Sequence, residues 1–113
     1  MDTATESPMP QVTAEDVKKA IDGKEPCILL DVRTPEEYAR EKIKESINIP
    51  VHRIRDDVEN LLPDKNQIIY VYCLSGSRSM HAASVMLKLG YNKVFDLKQG
   101  LLAWRAYSYP FIS

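Results

Sequence analysis

The stretch "IIYVYCLSGSRSMHAASVMLKLG", residues 68–90, contains a strand pattern, a cysteine and a helix pattern in direct succession. Residues 67–73, "QIIYVYC", are rich in β-branched and aromatic side chains, as is typical of a strand. A stripe of apolar residues at helical spacing follows: Ala82, Val85, Met86 and Leu89. Gly90 is suited to the position after a helix. The stretch therefore predicts a strand that ends at Cys73, a short loop, and a helix that begins near Ser79.

Strand and helix patterns alternate along the rest of the chain. Further strand-like segments lie at 27–32, 46–50 and 93–97. Helical segments follow the capping residues Thr13 and Thr34, a third begins at Val51, and a fourth spans 100–107. Such alternation predicts an α/β fold, in which a parallel sheet is covered by helices on both faces and joined by right-handed crossovers.

The composition is that of one ordinary domain. The chain has 113 residues, of which 44% are hydrophobic and 27% charged, enough for one modest core. Its formal net charge of -1 and its lack of a Lys/Arg cluster argue against nucleic-acid binding. Residues 1–10 carry two prolines and few apolar side chains, so we expect a disordered lead-in there and a single domain over residues 11–113.

The early part of the chain has no pattern typical of a membrane protein or a secreted protein. Its longest apolar run near the start, "CILL" at 27–30, is too short to span a bilayer. The first eleven residues lack the basic and apolar regions of a signal peptide, so we expect a cytoplasmic protein without membrane contact. The two cysteines lack CxxC spacing, which argues against a metal site or a disulfide framework.

Cys73 lies where a parallel sheet presents its ligand-binding edge. A free thiol has a pKa near ~8.5, so a reactive cysteine needs groups that stabilise the thiolate. The N-terminus of the following helix, a Ser- and Gly-rich loop able to turn N–H groups inward, and the cation of Arg78 are such groups. Gly76 allows the loop to bend. The pattern predicts a nucleophilic thiolate in a cradle for a small anion.

Four segments together resemble the rhodanese family of single-domain sulfurtransferases. They are "YCLSGSRSMHAASVMLKLGYNKVFDL", "LLDVRTPEEY", "INIP" and "LKQGLLAW". The resemblance extends over roughly residues 11–106. It implies a three-layer α/β/α fold with a five-stranded parallel sheet in the order 1-5-4-2-3.

The resemblance also implies a reaction. Cys73 would attack the outer sulfur of a donor such as thiosulfate, release sulfite, and pass the persulfide sulfur to cyanide or a thiol. The loop residues would bind the donor through N–H groups, with Arg78 holding its oxyanion: Leu74, Ser75, Gly76, Ser77 and Arg78. The expected partners are a small sulfur-containing anion and a thiol acceptor, either a small molecule or a protein. No metal or organic cofactor is implied, and a monomer is the default at this size.

Two segments depart from the family pattern. The family often has Gly-His-Ile-Pro-Gly-Ala where this chain has "EKIKES", residues 41–46. The usual Gly-Gly before the last helix is Gln99-Gly100 here. These departures affect the expected loop geometry and donor access more than the chemistry of the cysteine.

Asp31 and Arg33 are candidate supporting residues because they follow a buried strand at the same edge of the sheet. We expect Asp31 to accept hydrogen bonds from N–H groups of the cysteine loop, and Arg33 to pair with Glu36 or Glu37. A scaffolding role is favoured for both, since a carboxylate beside the thiolate would disfavour its charge.

Cys27 and His81 are weaker candidates. With the family strand order, Cys27 begins one strand and Cys73 ends its neighbour, on the order of 15 Å away, which is too far for a disulfide. Cys27 is therefore predicted to be a core residue. His81 falls in the first helical turn, but a helix N-terminus activates a thiol without a base.

Two other functions compete with sulfur transfer. Phosphatases and arsenate reductases of related fold have five residues between the cysteine and the arginine, whereas this chain has four between Cys73 and Arg78. The smaller loop suits a sulfur atom better than a tetrahedral phosphate. A non-catalytic module or a persulfide sensor is the other alternative.

Overall fold

The computed structural model describes residues 10–113. Its strands are β1 (Gln11–Val12), β2 (Ile28–Asp31), β3 (Ile47–Asn48), β4 (Ile69–Tyr72) and β5 (Val94–Leu97). Its helices are α1 (Ala14–Asp22), α2 (Pro35–Arg40), α3 (Ile54–Leu61), α4 (Ser77–Lys88) and α5 (Gly100–Ala106), with a 3-10 turn at Val51–Arg53 before α3. The predicted lead-in lies outside the described residues except for Pro10, whose carbonyl accepts a hydrogen bond from the Asp96 amide.

The five strands form one parallel sheet in the order β1-β5-β4-β2-β3, which confirms the predicted topology. All strands therefore present their carboxyl ends at one edge. β4 lies at the centre of the sheet, between β2 and β5, so the loop that follows it is flanked by the ends of both neighbours. Within residues 10–113, no helix is long and apolar enough to cross a membrane.

The sheet separates two hydrophobic cores. On one face, α3 and α4 pack through Ile54, Val58 and Met86. On the other face, α1 and α5 pack through Val17 and Trp104. This arrangement matches the prediction of helices on both faces, and it buries β4 and β5 on both sides.

Most helix boundaries follow the predicted caps. Thr13 and Thr34 each form a capping box at the start of α1 and α2. Leu61 lies at helical spacing from the buried Ile54 and Val58, but it is 58% exposed. Leu62 is buried in its place; it is the C-cap of α3, and its φ of -130° and ψ of 74° end the helix there.

The C-terminal segment folds back over α5. The Trp104 indole donates a hydrogen bond to the Pro110 carbonyl at 2.8 Å. Ile112 forms a backbone bridge with Lys42, in the loop that follows α2. The tail thus covers the buried indole and ties the last residues to the segment that departs from the family pattern.

That departing segment keeps a backbone suited to glycine. The Ser46 amide bonds the Ile43 carbonyl at 3.1 Å and closes a turn, in which Glu45 has a φ of +68°. Glycine is favoured at this third position when φ is positive. Gln99 likewise has a φ of +61°. Both non-glycine residues therefore occupy the left-handed region where the family pattern has glycine, and loop geometry is retained despite the substitutions.

We expect Glu45→Gly to stabilise the protein by about 0.5–1 kcal/mol, because a non-glycine residue is strained at this φ. Urea denaturation would measure the gain. The control is Lys44→Gly at the preceding turn position, outside the left-handed region, where glycine only adds freedom to the unfolded chain and should destabilise. A loss of stability in Glu45→Gly would contradict the strain argument.

Candidate active site

Cys73 directly follows β4, at the carboxyl edge of the sheet, and its residue is 1% exposed. Two backbone N–H groups point at its sulfur: the Gly76 amide at 3.1 Å and the Ser79 amide at 3.4 Å from Sγ. Gly76 has a φ of +120°, a conformation that L side chains rarely adopt, so glycine allows the loop to turn back toward the sulfur. The two amides stabilise negative charge on Sγ.

Helix α4 adds its N-terminus to this arrangement. It begins at Ser77, two residues earlier than predicted. The amides of Ser77 and Arg78 stand in its first turn and have no acceptor within the helix. Because the helix dipole is positive at this end, the loop presents a partial positive charge next to Cys73. Leu74, Ser75 and Ser77 are exposed beside the buried sulfur, so they form the outer surface of the loop.

Helix α5 supports the loop from the other side, a contact that sequence reasoning did not predict. The Leu101 amide donates to the Cys73 carbonyl at 2.9 Å, and the Leu102 amide donates to the Leu74 carbonyl at 3.1 Å. A Cβ at Gly100 would stand 2.3 Å from the Cys73 carbonyl oxygen. The glycine before the last helix was a visible signal, but its partner could not be identified without the fold.

Arg78 is held by Glu37 of α2 rather than standing free. Its two Nη atoms bond both carboxylate oxygens, at 2.7 and 3.1 Å. This pairing lowers the pKa of Glu37 to about 2. Arg33 was predicted to pair with Glu36 or Glu37, and that prediction is wrong, because Arg78 takes Glu37 instead.

Asp31 and Arg33 form a buried ion pair with each other. The Asp31 carboxylate accepts hydrogen bonds from the Arg33 amide, Nε and Nη2, the last at 2.7 Å. The prediction that Asp31 accepts from the cysteine loop is wrong, because the guanidinium two residues away fills the carboxylate. Arg33 also donates to the Glu41 carbonyl, so the pair ties the end of β2 to the following loop.

Ser79 and Asp96 are the site residues that sequence reasoning missed. Both are fully buried. The Cys73 thiol lies 3.5 Å from Ser79 Oγ, which in turn donates a hydrogen bond to Asp96 Oδ1. Gln11 Nε2 donates to the other oxygen, Oδ2, at 3.0 Å. The sequence did contain an indication of Asp96: a carboxylate within the apolar strand "VFDL". A buried acid needs hydrogen-bond donors or a cation, so its presence in a buried strand predicts polar partners nearby.

Cys27 is half-buried, which corrects the prediction of a core residue. Ile28 pairs with Ile69 in the parallel register, so Cys27 and Cys73 lie near opposite ends of adjacent strands. Both cysteines are free. His81 is exposed on α4. Within residues 10–113, no cluster of His, Cys, Asp and Glu is arranged to hold a metal ion.

Open depressions indent the surface of the described part of the chain, and two of them are relevant here. One of about 340 Å³ adjoins the cysteine loop and is lined by Ser75, Gln99, Leu102, Ala103 and Ala106. The other, of about 530 Å³, is lined by Cys27 and by residues of the segments around it, with none from the cysteine loop. The smaller depression is thus the one of these two that includes a residue of the cysteine loop, Ser75.

Comparison with known proteins identifies the family. Residues 13–107 match the sequence profile of the Rhodanese-like domain. The chain belongs to the rhodanese-like family. The matched residues include the cysteine loop, the buried Asp31 and Asp96, and α5. The match therefore confirms the resemblance and the fold.

Several relatives of this rhodanese-like chain are sulfurtransferases. A sulfurtransferase of Allochromatium vinosum is 29% identical over 103 residues, which cover 91% of this chain and 94% of that protein. The thiosulfate sulfurtransferase PspE of Escherichia coli is 37% identical over 65 residues, or 58% of this chain and 62% of that protein. A crystal structure of a rhodanese-related protein from Thermoplasma volcanium has 29% identity and a TM-score of 0.81, covering 91% of this chain and 97% of that one.

We expect Gly100→Ala to destabilise the protein by at least about 2 kcal/mol, because its Cβ would collide with the Cys73 carbonyl. Urea denaturation would measure the loss. The matched control is Gly90→Ala, which also has a positive φ but meets only the Lys65 side chain, 3.6 Å away. That variant should lose about 1 kcal/mol from backbone strain alone. Equal losses would show that the contact with Cys73 adds nothing.

Proposed function

We propose that this rhodanese-like chain is a sulfurtransferase and that Cys73 carries the transferred sulfur as a persulfide. The observation behind the proposal is the pair of backbone amides directed at Cys73 Sγ, at the N-terminus of α4. Amide donors and a helix N-terminus stabilise the negative charge of a nucleophilic thiolate. The sulfurtransferases among the relatives support the same reaction class.

In the proposed reaction, the Cys73 thiolate attacks the outer sulfur of thiosulfate. A bond forms between Cys73 Sγ and that sulfur, the sulfur–sulfur bond of the donor breaks, and sulfite leaves with the bonding electron pair. A thiolate or cyanide then attacks the terminal sulfur of the persulfide, and the Cys73 thiolate is regenerated. The amides at the start of α4 stabilise the negative charge at each stage without moving.

The loop length favours this reaction over phosphate transfer. Four residues separate Cys73 from Arg78. The Gly76 amide points inward and the Cys73 sulfur is buried, so the loop encloses only a small anion-binding space. An acceptor thiol can approach over the exposed Leu74 and Ser75, beside the 340 Å³ depression. The proposal includes a cytoplasmic location and no cofactor.

Incubation with thiosulfate should add one sulfur atom to Cys73. Intact-protein and peptide mass spectrometry would locate the adduct. Cys73→Ser should abolish it, whereas Cys27→Ser should leave it unchanged, because Cys27 lies near the opposite end of the sheet.

The absence of an adduct on Cys73 would overturn the proposal. Hydrolysis of a generic aryl phosphate that is lost in Cys73→Ser would favour a phosphatase. Efficient persulfide formation without transfer to cyanide, glutathione or a protein thiol would favour a sensing module.

Arg78 should confer selectivity for an anionic donor. We expect Arg78→Gln to lower kcat/KM for thiosulfate by about ten- to hundredfold, the range for losing hydrogen bonds to a charged group. Transfer from an uncharged organic persulfide should change much less. Steady-state kinetics with both donors would measure the difference.

Removing Arg78 also leaves the Glu37 carboxylate unpaired, and its charge would repel thiosulfate. The double variant Arg78→Gln/Glu37→Gln separates these effects, because it removes both charges. If the double variant regains wild-type kcat/KM, Arg78 serves only to neutralise Glu37 and does not bind the donor. Arg55→Gln, an exposed change on α3, is the control for overall charge.

A further inference from the structure

Asp96 is a buried carboxyl group to which the proposed reaction assigns no role. Its side chain is fully inaccessible to solvent, and within residues 10–113 it accepts hydrogen bonds from two neutral partners, Ser79 Oγ and Gln11 Nε2. A buried carboxylate without a cation is costly, because two neutral hydrogen bonds only partly replace water. Burial accordingly raises the pKa of Asp96 above its usual value. A carboxylate in this state is a good proton acceptor.

Among the described residues, the elements packed around Asp96 supply no cation to it. On α4, Arg78 is paired with Glu37 and His81 is exposed. On β4, the Tyr72 hydroxyl bonds Ser46 on the opposite face of the sheet. On β1, Gln11 is neutral. The nearest ionisable neighbour through a hydrogen-bonded path is the Cys73 thiol, and Ser79 is the bridge.

We propose that Asp96 is the base that accepts the Cys73 thiol proton, and that the Ser79 hydroxyl relays it. The geometry is a continuous path from Cys73 Sγ to Ser79 Oγ at 3.5 Å, and from Ser79 Oγ to Asp96 Oδ1 in direct hydrogen-bond contact. Because it concerns how the nucleophile is formed, this inference rests on the proposed role of Cys73.

The transfer is balanced within three residues. The S–H bond of Cys73 breaks and its proton binds Ser79 Oγ, while the proton that Ser79 held moves to Asp96 Oδ1. The products are a thiolate, a neutral carboxylic acid and an unchanged hydroxyl. Ser79 Oγ also lies 3.1 Å from the Gly76 carbonyl, which is an alternative acceptor for the single hydroxyl proton.

Electrostatics favour this direction of transfer. The move carries a negative charge from Asp96, which has only two neutral donors, to Cys73 Sγ. There the charge meets the Gly76 and Ser79 amides and the positive end of α4. The two groups form a coupled pair that shares one proton over a range of pH, so we expect the reactivity of the sulfur to be independent of pH across that range.

The test is the rate of alkylation of Cys73 by iodoacetamide, an uncharged reagent, between pH 5 and pH 10 in the Cys27→Ser background. In the protein with Asp96, we expect the rate to level off at a plateau below neutral pH. In Asp96→Asn, the rate should instead fall about tenfold for each pH unit on the acid side, since the proton must go to solvent. At pH 6 the variant should be at least about tenfold slower, and the two should converge near pH 10.

Simple charge repulsion predicts the opposite sign. If Asp96 acted only as a nearby negative charge, its removal would favour the thiolate, and Asp96→Asn would alkylate faster at pH 6. An equal or faster rate at pH 6 therefore overturns the inference. Convergence at high pH shows that the variant is folded with an accessible sulfur.

Two further variants separate relay from structure. Ser79→Ala should lose the plateau in the same way, whereas Ser79→Thr, which keeps a hydroxyl, should retain it. Asp22→Asn, a change of an exposed carboxylate on α1, is the control for charge and should leave the profile unchanged. A plateau that survives in Ser79→Ala would exclude the relay.

Alkylation requires no sulfur donor, so the two proposals fail separately. A protein that shows the plateau but forms no persulfide would keep the relay and lose the sulfur-transfer function. A protein that forms the persulfide but lacks the plateau would keep the function and lose the relay.

Discussion

The two hydrogen bonds from α5 to the cysteine loop are the constraint on which the site depends. Leu101 and Leu102 hold the carbonyls of Cys73 and Leu74. In a trans peptide the N–H group points opposite to the carbonyl, so both following amides are directed away from α5. On one side of the loop, the carbonyls of Cys73 and Leu74 are hydrogen-bonded to α5. The N–H donors of the loop lie on its other side. Gly100 is required because only a residue without a Cβ allows α5 to approach so closely.

Charged side chains around the site are paired among themselves. Arg78 pairs with Glu37, and Arg33 pairs with Asp31. The first pair joins α2 to the cysteine loop, and the second ties the end of β2 to the loop that follows α2 through the Glu41 carbonyl. Because both guanidinium groups already have carboxylate partners, the polarity next to Cys73 Sγ comes mainly from backbone amides and the dipole of α4. Such dipoles are fixed by the fold and need no reorganisation when charge develops on the sulfur.

The sequence predicted the sheet, its order, the capping boxes of α1 and α2, and the loop at Cys73. These features depend on local patterns or on segments that match a known family over most of the chain. The contacts of Asp31 and Arg33 were predicted wrongly, because two guanidinium groups and two carboxylates at one edge can pair in several ways and only the fold decides between them. The half-buried position of Cys27 was missed for a related reason. A strand's first residue is shielded only if neighbouring segments extend past it, and here the surrounding segments leave an open depression.

The short edge strand β1 connects the N-terminal segment to the chemistry of the site. It has only two residues, yet its Gln11 side chain bonds Asp96, the Pro10 carbonyl accepts from the Asp96 amide, and the Val12 carbonyl accepts from the Lys98 amide. Asp96 is thus held through its side chain by Gln11 of β1 and through its backbone by Pro10, the residue just before β1. Since the Gln11 amide satisfies Oδ2, Oδ1 is left to face Ser79 and, through it, Cys73. β1 contributes little to the core. Through Gln11, however, it orients the Asp96 carboxylate so that one oxygen faces Ser79.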